Sequence, residues 1–365
     1  MKTRTKLALI ILGVIILAAC GIVPTLPGLI PPDPFGVSKP DFWGDEVPIY
    51  GSVDKAPILT PIDLPLAVKI RVSIPGYAEG LTPDNFLVFE DDRAQGFALV
   101  KEAEERRGAD IVFIVDVTGS MGTEIAGVKN SMVNFIQALE AGGLDVRVGI
   151  VPYGDYAPAR ADTSDNIGFD PAFLNLSDPT VAEGYANGLG VGYGADGPEN
   201  AYGAIMYAWN NMAWRRGTQR IFILITDAFS HYTGDIADGL EWPSGWGPSN
   251  DFDPKYTKDE VINALYGFAT LHIVASTGGY YNTTDTDFSH PGDPREIALL
   301  TGGLIIYQDP YGEPDLSAIG ITEYIASSWL IIFESDSPAT THNVDVYFEG
   351  PDGKRGELHL AGVTY

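Results

Sequence analysis

The period of the apolar positions changes several times along the chain, and each change marks a different kind of element. In "AVKIRVSIPG", Val68, Ile70, Val72 and Ile74 alternate with Lys69, Arg71 and Ser73. A period of two predicts a strand with one face in a core and the other turned away from it. Two more such runs flank an Asp-Asp-Arg turn in "NFLVFEDDRAQGFALVKEA", and the alternation returns near the carboxyl end in "HNVDVYFEG" and "GELHLAGV". Between these β-only stretches, continuous apolar runs alternate with segments of helical spacing, which predicts a parallel sheet covered by helices on both faces. Strands are expected at 111–116, 146–152, 220–226, 271–276 and 304–308, and helices near 124–141, 198–214, 258–269, 294–300 and 316–326. Asp196 near an N-cap and Pro198 in a first turn suit the start of the second helix. The fold class is therefore α/β, a doubly wound, mostly parallel sheet with a flanking small β-sandwich formed by N- and C-terminal strands. The expected division is a β-strand region at 46–107, an α/β domain at 108–335 and closing β-strands at 336–365.

Ahead of these elements, Lys2, Arg4 and Lys6 precede the apolar run "LALIILGVIILAA", which ends at Ala19. This reads as an export signal over 1–19. With Cys20 the sequence becomes "LAAC", which resembles the lipobox of bacterial lipoproteins, where a peptidase cuts before a cysteine that carries diacylglycerol. The resemblance implies lipidation of Cys20 and an extracytoplasmic, membrane-anchored lipoprotein on the cell surface or in the envelope. An uncleaved anchor reaching Val23 is the alternative, although it falls short of the roughly 20 residues that a span needs. Cys20 is the only cysteine, so no internal disulfide can form. Pro24, Pro27, Pro31, Pro32, Pro34 and Pro40 make 20–45 an extended tether.

Charge narrows the function classes. With 22 basic against 49 acidic residues and a net charge of −27, a nucleic-acid partner is excluded, because phosphate backbones require cationic surface. The acidic excess fits solubility, divalent-cation affinity or adaptation to salt.

The chemistry centres on "IVFIVDVTGSMG". In a doubly wound sheet, ligands collect at the carboxyl ends of strands where the winding reverses. Asp116 ends the first strand of the α/β block, and Asp227 ends "RIFILIT", so two carboxylates converge if those strands are neighbours. Thr118 and Ser120 follow at alternate positions, so their hydroxyls can face the same spot, with Gly119 allowing a tight turn. Charged and neutral oxygen donors suit a hard divalent cation, held at about 2.0 to 2.6 Å.

"DVTGS" with a later "ITD" resembles the metal-ion-dependent adhesion site of von Willebrand factor type A domains, over roughly 108–335. The resemblance implies that Asp116, Thr118 and Ser120 form the first metal loop, with Asp227 often acting through water. The family pattern is Asp-x-Ser-x-Ser, and Thr118 keeps the hydroxyl of the first serine. Where the family's third loop usually offers a threonine, this chain has "GYGADGPENAYGAI", similar to the variant "GG-x-D-x-P-E" of some extracellular members. Asp196 and Glu199 are then the candidate replacements. An added carboxylate would weaken attraction for a partner's carboxylate and favour Ca²⁺ over Mg²⁺, which leaves the ion open between Mg²⁺ and Ca²⁺. If Glu199 occupies the first turn of the helix, only Asp196 remains.

Other chemistries fit less well. "TGSMG" has Thr118 where a nucleophile elbow needs glycine. His231, His272, His290, His342 and His359 lack zinc-binding spacing, and His272 lies in the apolar run "TLHIVAS", as a core histidine would. No phosphate-binding glycine loop follows a strand. The acid pairs Asp285/Asp287 and Asp251/Asp253 read as solvated loops rather than calcium sites. Trp242, Trp246, Tyr232 and Tyr256 give the long loop after Asp227 an aromatic content suited either to a partner or to packing on itself.

These readings converge on a non-catalytic, surface-tethered, metal-dependent adhesion or interaction module. Its expected partner is a protein, engaged through an acidic side chain, or a glycan. The alternative is a structural or regulatory subunit of a cell-envelope complex, in which the metal only stabilises the loops.

Overall fold

The computed structural model describes residues 30–60, 64–106, 108–122, 125–141, 145–159, 173–192, 197–235, 256–309 and 320–365. Five strands come first: β1 (Tyr50–Val53), β2 (Ala67–Ser73), β3 (Phe86–Glu90), β4 (Arg93–Ala94) and β5 (Phe97–Lys101). The α/β block supplies β6 (Gly108–Asp116), β7 (Asp145–Tyr153), β8 (Leu174–Ser177), β9 (Gln219–Thr226), β10 (Thr270–Ser276) and β11 (Ile305–Gln308). The chain closes with β12 (Ser328–Glu334), β13 (His342–Glu349) and β14 (Arg355–Val363).

The central sheet has the order β11-β10-β9-β6-β7-β8 and is parallel except for β8, which runs antiparallel to β7. Helices α1 (Ile125–Ala141), α2 (Pro179–Gly188) and α6 (Ile321–Ala326) cover one face, and α3 (Ala201–Asn211), α4 (Lys258–Leu265) and α5 (Arg295–Leu300) cover the other. Burial on both faces explains the unbroken apolar run of β6: Ile111, Phe113 and Val115 enter the first core, while Val112 and Ile114 enter the second.

Two smaller sheets, β1-β2-β12-β5 and β14-β13-β3-β4, face each other as a sandwich. Ile70 and Val72 of β2 and Trp329, Ile331 and Phe333 of β12 share a core with Val88 of β3 and Val346 and Phe348 of β13. At the predicted Asp-Asp-Arg turn, Asp91 and Asp92 take φ of 44° and 67° and join β3 to β4 as a two-residue hairpin, where Glu90 pairs with Arg93. The α/β fold with flanking strands is thus as expected.

Four details differ from the sequence reading. The strand at 328–334, inside the span 108–335 assigned to the α/β domain, lies in the flanking sheet between β2 and β5. Both of its faces are apolar, with Leu330 and Ile332 packing opposite to Trp329, Ile331 and Phe333, so its sequence looks like another doubly covered strand. The long loop after β7 contains β8 and is followed by α2, neither of which was expected. "LNLS" is too short to display a period, and two glycines dilute the helical pattern of "PTVAEGYANG", although Asp178 and Pro179 stand at its start as N-cap and first residue. Helix α3 begins at Ala201, not Pro198; its cap is Asn200, whose side chain accepts from Gly203 N at 3.0 Å. The polar face of β2 is also buried, because it meets the α/β block: Arg71 Nη2 donates to Thr301 O at 2.9 Å, and Ser73 Oγ donates to Tyr324 O at 2.8 Å.

Candidate metal centre

Strands β6 and β9 are direct neighbours, with Val115 paired to Ile225. Asp116 and Asp227 therefore emerge side by side at the carboxyl end of the sheet. The chain leaves β6 through a turn in which Val117 N donates to Tyr153 O at 2.9 Å and Met121 N donates to Thr118 O at 3.1 Å. Gly119 in that turn keeps a negative φ, and an added Cβ would meet nothing nearer than Gly192 O at 3.8 Å. The tight turn expected to need this glycine does not require it.

A continuous line of oxygens crosses the two strand ends. Asp116 Oδ1 accepts from Thr118 N at 3.0 Å and from Thr118 Oγ1 at 2.7 Å. Thr118 Oγ1 lies 3.1 Å from Ser120 Oγ, which donates to Asp227 Oδ1 at 3.1 Å. The other carboxylate oxygen of Asp116 accepts from Thr226 Oγ1 at 2.9 Å. Asp116 and Thr118 are buried, whereas Ser120 is exposed and Asp227 partly so, which gives the cluster a closed floor and an open rim.

Electrostatics sets the two acids against each other. Burial first, and then the charge of Asp227, push Asp116 up to about 7, while the hydrogen bonds from Thr118 and Thr226 pull the other way. A cation among these oxygens would relieve both penalties. Two carboxylates and two hydroxyls are hard donors that fit Mg²⁺ or Ca²⁺. Among the described residues no group of three or more carboxylate, imidazole or thiol side chains could hold a metal, so the hydroxyls of Thr118 and Ser120 are needed to complete a ligand set.

Of the six predicted ligands, Asp116, Thr118, Ser120 and Asp227 come together. Asp196 lies outside the described residues. Glu199 is not in the first turn of α3: it precedes the cap and bridges to Ser230, its N–H donating to Phe229 O at 3.0 Å and its carbonyl accepting from His231 N at 2.6 Å. Its side chain is buried, and its charge and that of Asp116 both act on Tyr153, whose phenol is pushed well above the ordinary value by burial first and then by Asp116. Thr226 and Tyr153 were missed as part of this site. Thr226 was legible in principle, since "ITD" places a hydroxyl beside the acid that ends the strand. Asp155, which is fully buried in the loop after β7, carried no sequence signal beyond an acid in a long loop.

The remaining candidates are structural among the described residues. Asp285 accepts from Arg295 Nη1 at 2.9 Å, and Asp287 accepts from Ser289 N at 2.9 Å, so this acid pair organises its own loop. Tyr232 and Tyr256 pack against the core of the central sheet. Asp251, Asp253, Trp242 and Trp246, like Cys20 and the segment before it, lie outside the described residues. His272 is fully buried, as a core histidine should be, with Nδ1 accepting from Leu304 N at 3.1 Å.

A von Willebrand factor type A domain is present at residues 110–241, the stretch that carries Asp116, Thr118, Ser120 and Asp227. Over 167 residues, 45% of this chain, the sequence is 30% identical to alpha-protein kinase vwkA of Dictyostelium discoideum, of which the match covers 25%. Among solved structures, the pilus adhesin SpaC of Lactobacillus rhamnosus GG in its open conformation matches 88% of this chain and 48% of its own, with 11% identity and a TM-score of 0.38. A second structure of that adhesin matches 85% and 37%, with 14% identity and a TM-score of 0.39. The chain thus spans about a quarter of the curated relative and less than half of either adhesin chain.

Proposed function

We propose that this chain is a non-catalytic interaction protein whose type A domain holds a divalent cation among Asp116, Thr118, Ser120 and Asp227 and offers it to an acidic group of a partner protein. The observation that carries this reading is the line of oxygens from Asp116 to Asp227, buried at one end and open at the other. When bound, the ion supplies an electrophilic point that attracts a carboxylate. The chain's own residues fix the donors: Thr226 and Thr118 orient Asp116, and Ser120 links the loop after β6 to Asp227. Glu199, buried beside the cluster's Tyr153, is the acid that would adjust the charge of the site, and Asp196 enters this reading from the sequence alone. Lipidation of Cys20 and an envelope or cell-surface location belong to the same reading and rest on the "LAAC" motif.

Calorimetric titration of chelator-treated protein with Ca²⁺ and with Mg²⁺, beside Asp116→Ala, tests the proposal. Saturable binding of one ion, weakened at least a hundredfold in the variant, is expected from loss of the charged central donor. Absence of binding to the parent protein, or equal binding to the variant, would remove the metal from the function. A glutamate-containing peptide added to the loaded protein then separates the two roles. Ion-dependent peptide binding supports the interaction module, whereas a raised melting temperature without peptide binding leaves the ion as a brace for the loops.

A further inference from the structure

The opposite end of the central sheet carries charge of the other sign. Between α3 and β9 the sequence "WNNMAWRRGTQR" places Arg215, Arg216 and Arg220 within six positions, with Trp209 and Trp214 just before them. In a chain with 22 basic against 49 acidic residues, this stretch of 209–220 contains three arginines and no acid. They line a cavity of about 570 Å³ whose walls also include Pro57, from the loop after β1, and Phe268, in the turn after α4.

The three arginines do different things. Arg215 is structural: its Nε donates to Asp110 Oδ1 at 2.6 Å, its Nη1 to Asp145 Oδ1 at 2.7 Å and its Nη2 to Ala109 O at 3.0 Å. Asp110 is fully buried and also accepts from Arg215 N and Thr218 Oγ1, so the nearest carboxylate is already occupied. Arg220 is held by aromatic faces instead, its guanidinium carbon 5.3 Å from the ring centre of Trp209 and 5.4 Å from that of Trp214. The indoles are themselves fixed, because Trp214 Nε1 donates to Trp209 O at 2.9 Å and the Trp214 ring packs on Phe222. Among the described residues, neither the Arg216 nor the Arg220 guanidinium makes an ion pair or hydrogen bond. Every other described arginine except Arg71 is paired with a carboxylate.

A guanidinium clamped by indoles keeps its planar donor edge while losing conformational freedom, so binding an oxyanion there orders little else. The cavity volume is that of a small-ligand site, and it lies between the α/β block and a loop of the sandwich, where such sites concentrate. We propose that this cavity binds a small anionic ligand, whose carboxylate or phosphate meets Arg216 and Arg220 and whose flat apolar body lies against Trp214 and Phe268. This site is independent of the metal centre, which lies beyond the other end of β9 at Asp227.

The probes are 2-naphthoate, 2-naphthyl phosphate and the neutral 2-naphthamide, titrated into the whole chain by calorimetry. Chelator treatment denies the anions any cation at the far end of the sheet. Indole N–H signals in NMR spectra report the location. At least one anion is expected to saturate and to shift the Trp209 and Trp214 signals, with naphthamide about tenfold weaker, in keeping with the strength of charge-assisted hydrogen bonds. Arg216→Gln, an exposed substitution that leaves the fold intact, is expected to weaken the anion about tenfold and leave naphthamide unchanged; Arg220→Gln is the second variant. Preference for naphthoate or for the phosphate tells carboxylate ligands from phosphorylated ones. The proposal fails if neither anion saturates, if naphthamide binds as well as the anions, or if Arg216→Gln binds the anions as tightly as the parent protein.

Discussion

The α/β block draws its strands from one stretch, β6 to β11, whereas the sandwich takes β1 to β5 from before that stretch and β12 to β14 from after it. Ile70 of β2 pairs with Ile331 of β12 across the whole block. Closing so long a loop costs little more than closing a short one, because the entropy grows only with the logarithm of length. The harder requirement is geometric, since the block must return the chain to its starting point. It does so through short joints. A single helical turn at Glu102–Glu105 and the buried Arg106 lead into β6, and Ser327 alone separates α6 from β12. Arg106 is bound by Asp54 at 2.7 and 2.8 Å and by Glu102, and it also donates to Ala56 O at 3.0 Å. The two regions differ in how their strands are collected, yet they are bolted together at the point where the chain crosses between them.

That bolting predicts one unfolding transition, and matched cavities test it. Phe113 lies in the core of the block and Phe333 in that of the sandwich, both fully buried. Each Phe→Ala substitution is expected to cost about 3 to 5 kcal/mol. In urea unfolding followed by circular dichroism and by fluorescence, both variants should move a single transition seen alike by the two probes. Two transitions, with each variant moving only one, would show that the regions unfold separately and that the polar contacts of Arg71, Ser73 and Arg106 do not couple them.

Legibility from sequence followed the same division. The block's strands, β8 excepted, were readable because double-sided burial demands long apolar runs, and both halves of the oxygen cluster sit where such runs stop, at Asp116 and Asp227. β12 was not read as a strand, and the span 108–335 ran over it, because its two apolar faces meet two different layers, a distinction that exists only in three dimensions. Glu199 illustrates the same limit. Three residues of helical phase separated a first-turn acid from one placed ahead of the cap, and the decision rested on Asn200 outcompeting Asp196 and Pro198 for the start of α3. The arginines of the cavity carried no reading from the sequence, because which of them stay off carboxylates is settled only in the fold, where Arg215 takes Asp110 and Asp145.

The block and the sandwich also differ in how they hold a histidine, and acid exposes the first case. His272 on β10 is fully buried, and burial, followed by the charge of Arg71, lowers its pKa to about 3. The unfolded chain takes up this proton near 6.5 while the folded chain does not, so the stabilising effect is complete above 6.5 and is lost as pH falls towards 3. At pH 5 the loss from this group is about 2 kcal/mol. Urea midpoints compared at pH 7.5 and pH 5 should fall more in the parent than in His272→Gln, which cannot take up the proton. An equal fall in both would assign the acid sensitivity to other groups.

His342 in the sandwich has the opposite sign and the smaller effect. Burial pulls its pKa down, but the bond to Ser337 O at 2.9 Å, the contact of its Nδ1 with Asp91 Oδ2 at 2.7 Å and the charges of Glu90 and Asp91 together raise it above 6.5. As an imidazolium it donates from both nitrogens, and it stacks on Tyr365, whose hydroxyl donates to Glu90 at 2.9 Å. With the folded pKa above the unfolded one, the stabilisation is present in full below 6.5 and is lost as pH rises through the folded value. Between pH 6 and 8.5, therefore, His272 should leave the upper part of the range flat while His342 lowers the melting temperature slightly. In His342→Gln that decline should vanish, with the difference from the parent protein largest at the acid end. A decline of the same size in the variant would mean that the His342–Asp91 contact contributes nothing and that other groups carry the pH dependence over this range.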